Sequence, residues 1–172
     1  MLSMEVKEKK AEIIIKSMKY DCRELQGADK LTLEELSAFK PTEYIEDSCA
    51  GILRFIGERT AIVYNESEKS GMDGTRSIIS FVAEDTRSLK IMRSGTVRTV
   101  FELSPGKQSK TKYETSFFNF SMLLNTLSVS NSVTDDGGEL FIDYILEIPF
   151  TQKERTLMTI TVTPYADEYP LH

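Results

Sequence analysis

The sequence predicts an all-β chain: a closed or nearly closed antiparallel up-and-down barrel of about 8–10 strands, with a short helical insertion near residues 32–40. Three observations predict it. Apolar residues recur at every second position along successive short runs, most cleanly at Leu140, Ile142, Tyr144, Leu146 and Ile148. Tight-turn chemistry separates the runs, at Gly57-Glu58, Asp73-Gly74, Ser94-Gly95, Pro105-Gly106 and Asp136-Gly137. The links are short, so consecutive strands pair as hairpins, and closure removes the exposed edges of the sheet.

Residues 1–9 are charged and are expected to be frayed or weakly helical. Ala11 to Tyr20 alternates, and Ile13-Ile14-Ile15 favours a strand because β-branched side chains suit a pleated surface. Residues 21–47 break the rhythm. Gly27-Ala28-Asp29-Lys30 marks a loop, and Thr32-Leu33-Glu34-Glu35 fits a capping box with Thr32 as N-cap. Leu33, Leu36 and Phe39 then give one apolar helical face, and Pro41 ends the helix after about two turns. That face is expected to pack across one end of the barrel, as a plug or as a lid over a cavity.

Strands follow at Cys49–Ile56, Thr60–Glu66, Arg76–Val82, Ser88–Arg93 and residues 97–103. Ile62, Tyr64 and Glu66 share a face, as do Leu89, Ile91 and Arg93, and Val97, Thr99, Phe101 and Leu103. Ser109–Thr115 places Thr111, Tyr113 and Thr115 on one face and Lys110, Lys112 and Glu114 on the other. Phe117–Val129, Leu140–Ile148 and Arg155–Val162 complete the set. The expected organisation is one domain over residues 1–172: a barrel over about 11–163, the insertion at 21–47, and a tail at 164–172 whose two prolines prevent a central strand.

Composition narrows the function. A net charge of -6 argues against nucleic acid and against anionic membrane surfaces as partners. The N-terminal segment, interrupted by Glu and Lys, lacks the apolar run of a signal peptide, so the expected location is the cytoplasm. Cys22 and Cys49 have no CxxC partner and are expected as free thiols. His172 is the single histidine, so neither a Ser-His-Asp triad nor a His-ligated zinc site can be built in the barrel body. No cofactor or metal site is expected.

The ordered string Tyr64-x-Glu66, Ser70-Gly71-Met72-x-Gly74-Thr75, Arg93-x-Gly95, Tyr113-x-Thr115, then Asp136-Gly137-Gly138-Glu139-Leu140 with Tyr144, resembles the YwiB-like bacterial proteins, a family of unassigned function. The resemblance covers roughly residues 11–162 and implies a calycin-like barrel, the architecture of lipocalins and fatty-acid-binding proteins. It implies no substrate and no catalytic residue. Two departures stand out. Phe118 replaces a family glycine, and the 21–47 insertion is longer than usual.

By parity, Tyr64, Glu66, Arg93, Tyr113, Thr115 and Tyr144 share faces with aliphatic residues and are the candidate ligand-binding set of the barrel interior. A buried Arg93 needs a partner. One reading is an internal ion pair with Glu66, supported by tyrosine hydroxyls. The other is a planar anchor for a ligand carboxylate or phosphate. Three further groups read as plain turns or solvated faces: the Ser70–Thr75 loop, which could offer backbone amides to an anion; Asp135, Asp136 and Glu139, which lack Ca²⁺-loop spacing; and the strip of Arg98, Lys107, Lys110 and Lys112. The Tyr64/Glu66 pair could in principle do acid–base work, but nothing in the sequence places a nucleophile beside it. The sequence therefore points to a binder of a small anionic or amphipathic molecule. The alternative is a protein-interaction or structural module with a filled core, and an enzyme is the least supported reading. An uncovered barrel edge would favour a homodimer by strand pairing.

Overall fold

In the computed structural model, which describes residues 5–166, ten strands form one antiparallel sheet. They are β1 (Val6–Asp21), β2 (Glu43–Ile56), β3 (Arg59–Asn65), β4 (Thr75–Val82), β5 (Leu89–Gly95), β6 (Thr99–Leu103), β7 (Gln108–Glu114), β8 (Asn119–Asn131), β9 (Gly138–Ile148) and β10 (Gln152–Pro164). The spatial order is β6-β5-β4-β3-β2-β1-β10-β9-β8-β7. The two ends of this sheet meet at Arg98 and Glu114, whose backbones exchange hydrogen bonds of 2.9 and 3.0 Å. Below that bridge, Thr111 Oγ1 donates to the Val100 carbonyl at 2.6 Å, so a side chain holds the seam where the ladder is missing. The result is the nearly closed barrel that the alternation predicts.

The inward faces are the apolar faces read from parity. Ile13, Leu53, Ile62, Ile79, Ile91, Leu124, Leu140, Ile142 and Ile160 are fully buried in one interior cluster. Gly51 on β2 is needed for close approach: a Cβ there would strike the Ile13 side chain and the Val63 carbonyl. β1 and β2 run longer than their sequence patterns suggest, pairing from Val6↔Ile56 to Lys19↔Glu43. β1 also pairs with β10 from Ala11↔Pro164 to Asp21↔Glu154, and the Tyr165 amide bonds the Lys10 carbonyl at 3.0 Å. Residues 167–172 of the expected tail, His172 among them, lie outside the described residues.

The insertion, here residues 22–42 between β1 and β2, neither plugs nor lids the barrel. Its helix α1 (Leu33–Leu36) is a single turn with the expected capping box: Glu35 N–H to Thr32 Oγ1 at 3.1 Å and Thr32 N–H to Glu35 Oε1 at 3.0 Å. Leu36 is buried, but Leu33 and Phe39 are 44% and 46% exposed. Leu36 and Ala28 pack with Tyr20, Leu157, Met18 and Phe141, which are residues of the outward parity on β1, β10 and β9. The insertion thus covers the outside of the wall. With one helical turn, the spacing of three apolar positions cannot present them all to one surface.

A buried ion pair secures this second cluster. Arg155 on β10 donates to both Asp143 oxygens, Nε to Oδ1 at 2.9 Å and Nη2 to Oδ2 at 2.7 Å, with both side chains 2% exposed. Its Nη1 donates to the Ala28 and Leu31 carbonyls at 2.8 and 2.6 Å. Lys153 Nζ adds an ion pair to Asp29 at 2.7 Å, which holds the Asp29 carboxyl below its ordinary range. Leu36→Asp should therefore destabilise by about 2–4 kcal/mol, whereas Leu33→Asp should stay within about 0.5 kcal/mol. Denaturant unfolding of both variants checks the one-sided burial. Equal losses would contradict it.

Cys22 and Cys49 are free and half-buried, Cys22 against the insertion cluster and Cys49 against the interior. Burial first, then the Asp47 and Glu66 carboxylates, pushes the Cys49 thiol up, which keeps it protonated.

Candidate functional site

The interior is layered by strand register. Ile62, Ile79, Ile91 and Phe101 lie opposite one another on β3, β4, β5 and β6. Two residues further along the strands, the facing set is Tyr64, Ser77, Arg93 and Thr99. An apolar layer is thus followed by a polar one, because each strand changes chemistry at the same level while keeping its inward parity. Glu66 lies one step beyond, where its amide bonds the Thr75 carbonyl at 2.8 Å.

Above the apolar layers the barrel is open. A cavity of about 420 Å³ reaches the end of the barrel where the 66–74 loop and the β7–β8 and β9–β10 turns sit. Arg93, Glu66, Tyr64, Tyr113 and Tyr144 line it, with Phe101, Phe118, Phe120, Met122 and Ile15 among its apolar walls. Five of the six residues selected from sequence therefore meet in one space. Thr115 does not. Its hydroxyl accepts the Phe117 and Phe118 amides, both at 3.2 Å, so it caps the β7–β8 turn. The strand ends at Glu114, and the alternation that placed Thr115 inside stops with it.

Arg93 is 7% exposed. Its guanidinium lies over the Phe101 ring, 5.2 Å from the centroid, and Phe101 meets Tyr144 edge-on at 5.8 Å. Nε is buried without a hydrogen-bond partner. Among the described residues no carboxylate lies within 4.0 Å of Arg93, so the expected Arg93–Glu66 ion pair is not formed. Glu66 instead accepts from the Ser77 hydroxyl at 2.9 Å through Oε2. Glu66 projects from one step higher and two strands away, with Ser77 between them. Tyr64 lies within the field of both charges. Burial, and after it Glu66, pushes its phenol well above the usual range; Arg93 and the Ser77 hydroxyl pull the other way without offsetting this. Tyr64 is accordingly a neutral hydroxyl at physiological pH.

Several residues in and around the site escaped the sequence reading. Ser77 was one of several polar strand residues. Phe118 and Phe120 stack at 5.6 Å, and Phe120 stacks on Tyr113 at 5.2 Å, forming an aromatic wall. Phe118 is where the sequence departs from the pattern of the family it resembles, which was the available signal. At the rim, Ser67 donates to Asp47, and the Lys69 ammonium reaches the Glu46 carbonyl at 3.4 Å. These bonds hold the 66–74 loop along the part of β2 that β3 does not cover. Arg98, Lys110 and Lys112 line a separate groove outside the β6–β7 seam, where Arg98 pairs with Glu114 at 3.4 Å. Among the described residues, no three His, Cys, Asp or Glu side chains gather as a metal site, and no helix is long and apolar enough to cross a membrane.

The model of the DUF1934 family, a domain of unknown function, matches residues 35–160. The chain belongs to this family. Among solved structures, the fold is similar to the crystal structure of the ywiB protein from Bacillus subtilis, with a TM-score of 0.73, 19% sequence identity, and coverage of 95% of this chain and 96% of that one. No curated protein matches the sequence. The match to the family model begins inside the insertion, so the cavity-lining stretches of β3 to β10 all fall within it.

Proposed function

We propose that this DUF1934 barrel binds a small amphipathic molecule, with an anionic group of the ligand at Arg93 and its apolar body between Phe118, Phe120 and Met122. The observation that carries this reading is the buried Arg93 guanidinium, which faces an open cavity and has no counter-ion among the described residues. A charge in that position is costly unless something completes it. A guanidinium offers a planar fork that suits a carboxylate or phosphate. The volume of about 420 Å³ falls in the range of small-molecule sites, and a filled-core module fits it poorly.

A second observation favours a partner-facing role at the same barrel end. Phe117 is 92% exposed and Phe150 is fully exposed, on the β7–β8 and β9–β10 turns. Such residues serve contact better than stability.

Fluorescence titration with anilinonaphthalene sulfonate, an anionic amphipathic probe, tests the binding reading. The expected result is saturable binding at one site per chain, displaced by fatty acids or organic phosphates, together with a co-purifying small molecule in native mass spectra. Probe binding that persists unchanged when Ser17, on the cavity wall, is enlarged to Phe would place the probe elsewhere and count against it.

A further inference from the structure

The cavity holds two charges of opposite sign that do not satisfy each other. Arg93 has no ion pair among the described residues, and its Nε has no hydrogen-bond partner. Glu66 has one described donor, the Ser77 hydroxyl at Oε2, and no described donor reaches Oε1. Both side chains line the same space. A ligand with only an anionic group would satisfy the guanidinium and set a second negative charge beside an incompletely bonded carboxylate, which is unfavourable where water is scarce. A ligand that also carries an ammonium group completes both. The other acids of the cavity are already engaged: Asp47 by Ser67 and the Ser48 amide, and Glu154 by Lys19 and Gln152.

The apolar side of the same cavity is aromatic. Phe118, Phe120 and Tyr113 form a continuous stack with interplanar angles of 13° and 20°. A flat ring is the ligand body that such a wall accepts best.

We infer that the ligand is a zwitterion with an aromatic body, of the aromatic α-amino acid type: its carboxylate on Arg93, its ammonium on Glu66, and its ring against the Phe118–Phe120–Tyr113 wall. This rests on the proposed binding function and narrows it. Tyr64, kept neutral by burial, lines the same cavity.

Isothermal titration calorimetry with matched probes tests it. Phenylalanine carries both charges, phenylpropanoate the anion alone, and phenethylamine the cation alone. Phenylalanine should bind at least about tenfold more tightly than either partial probe, since each charge-assisted bond is worth that much or more. Glu66→Gln should abolish this advantage from both sides: phenylalanine loses its ammonium partner and binds more weakly, while phenylpropanoate, relieved of the neighbouring negative charge, binds at least as tightly as before. Tyrosine and tryptophan should bind in the same site by competition with phenylalanine. Should phenylpropanoate bind as tightly as phenylalanine, or Glu66→Gln leave phenylalanine affinity unchanged, the zwitterion assignment is wrong while the anion-binding cavity stands. Should none of these probes bind but anilinonaphthalene sulfonate does, the aromatic zwitterion is again the part that fails. Should no probe of either kind bind, both readings fall together.

Discussion

Asp143→Ala is expected to destabilise the protein by about 3–5 kcal/mol, the largest effect of any single polar replacement in this fold. The variant removes the partner of Arg155 and leaves a guanidinium that is 2% exposed with only the Ala28 and Leu31 carbonyls around it. Those bonds satisfy hydrogens but do not balance a charge. The double variant Asp143→Leu with Arg155→Met should recover much of the loss, because two apolar side chains tolerate the buried position better than one ion does. Recovery should be incomplete. The Ala28 and Leu31 carbonyls lose their donor, and each unsatisfied buried acceptor costs about 1–3 kcal/mol. Denaturant unfolding measures both variants, and limited proteolysis across residues 22–42 reports whether the insertion loosens in the double variant. A loss below about 1 kcal/mol for Asp143→Ala would show that Arg155 reaches solvent and that the insertion is not tied down by it.

The same pair shows where sequence reasoning stops. Asp143 lies on the cleanest alternating strand of the chain, among Leu140, Ile142, Tyr144 and Leu146, and its parity reads as solvent-facing. The parity is right and the exposure is wrong, because the 22–42 segment folds back over that outer face. A two-residue period reports which side of a sheet a residue takes, not what a distant segment lays over that side. Arg93 illustrates the complementary point. Leu89 and Ile91 fixed its inward direction, and it is inward. Its expected bond to Glu66 required a distance, which depends on strand order and stagger that no local pattern contains. Strand ends failed for a third reason. Lys7 to Lys10 and Glu43 to Asp47 lack alternation, yet their backbones extend the ladder at its two ends, the first segment pairing with Ile52 to Phe55 and the second with Ile15 to Lys19. Thr115 marks the opposite error, an alternation carried one residue past the end of a strand.

Arg93→Met is expected to strengthen the fold and abolish the site. An ion-paired arginine would behave in the opposite way, since its loss would strand a carboxylate and destabilise by about 3–5 kcal/mol. Here no carboxylate is stranded, because Glu66 already bonds Ser77 at 2.9 Å. Removing an unsatisfied buried donor relieves about 1–3 kcal/mol, and the lost cation–π contact with Phe101 gives back about 0.5–1 kcal/mol. The net gain should be about 0–2.5 kcal/mol, or up to a few degrees in Tm for a chain of this size. Anilinonaphthalene sulfonate affinity should fall by about 10–100-fold, the value of one charge-assisted hydrogen bond in a dry site. The two measurements together are decisive. A variant that is both less stable and unchanged in probe affinity would make Arg93 a structural residue and remove the basis of the binding site. A variant that gains stability and loses the probe would identify Arg93 as a charge kept in the barrel at the expense of the fold, which is the mark of a residue held for its ligand.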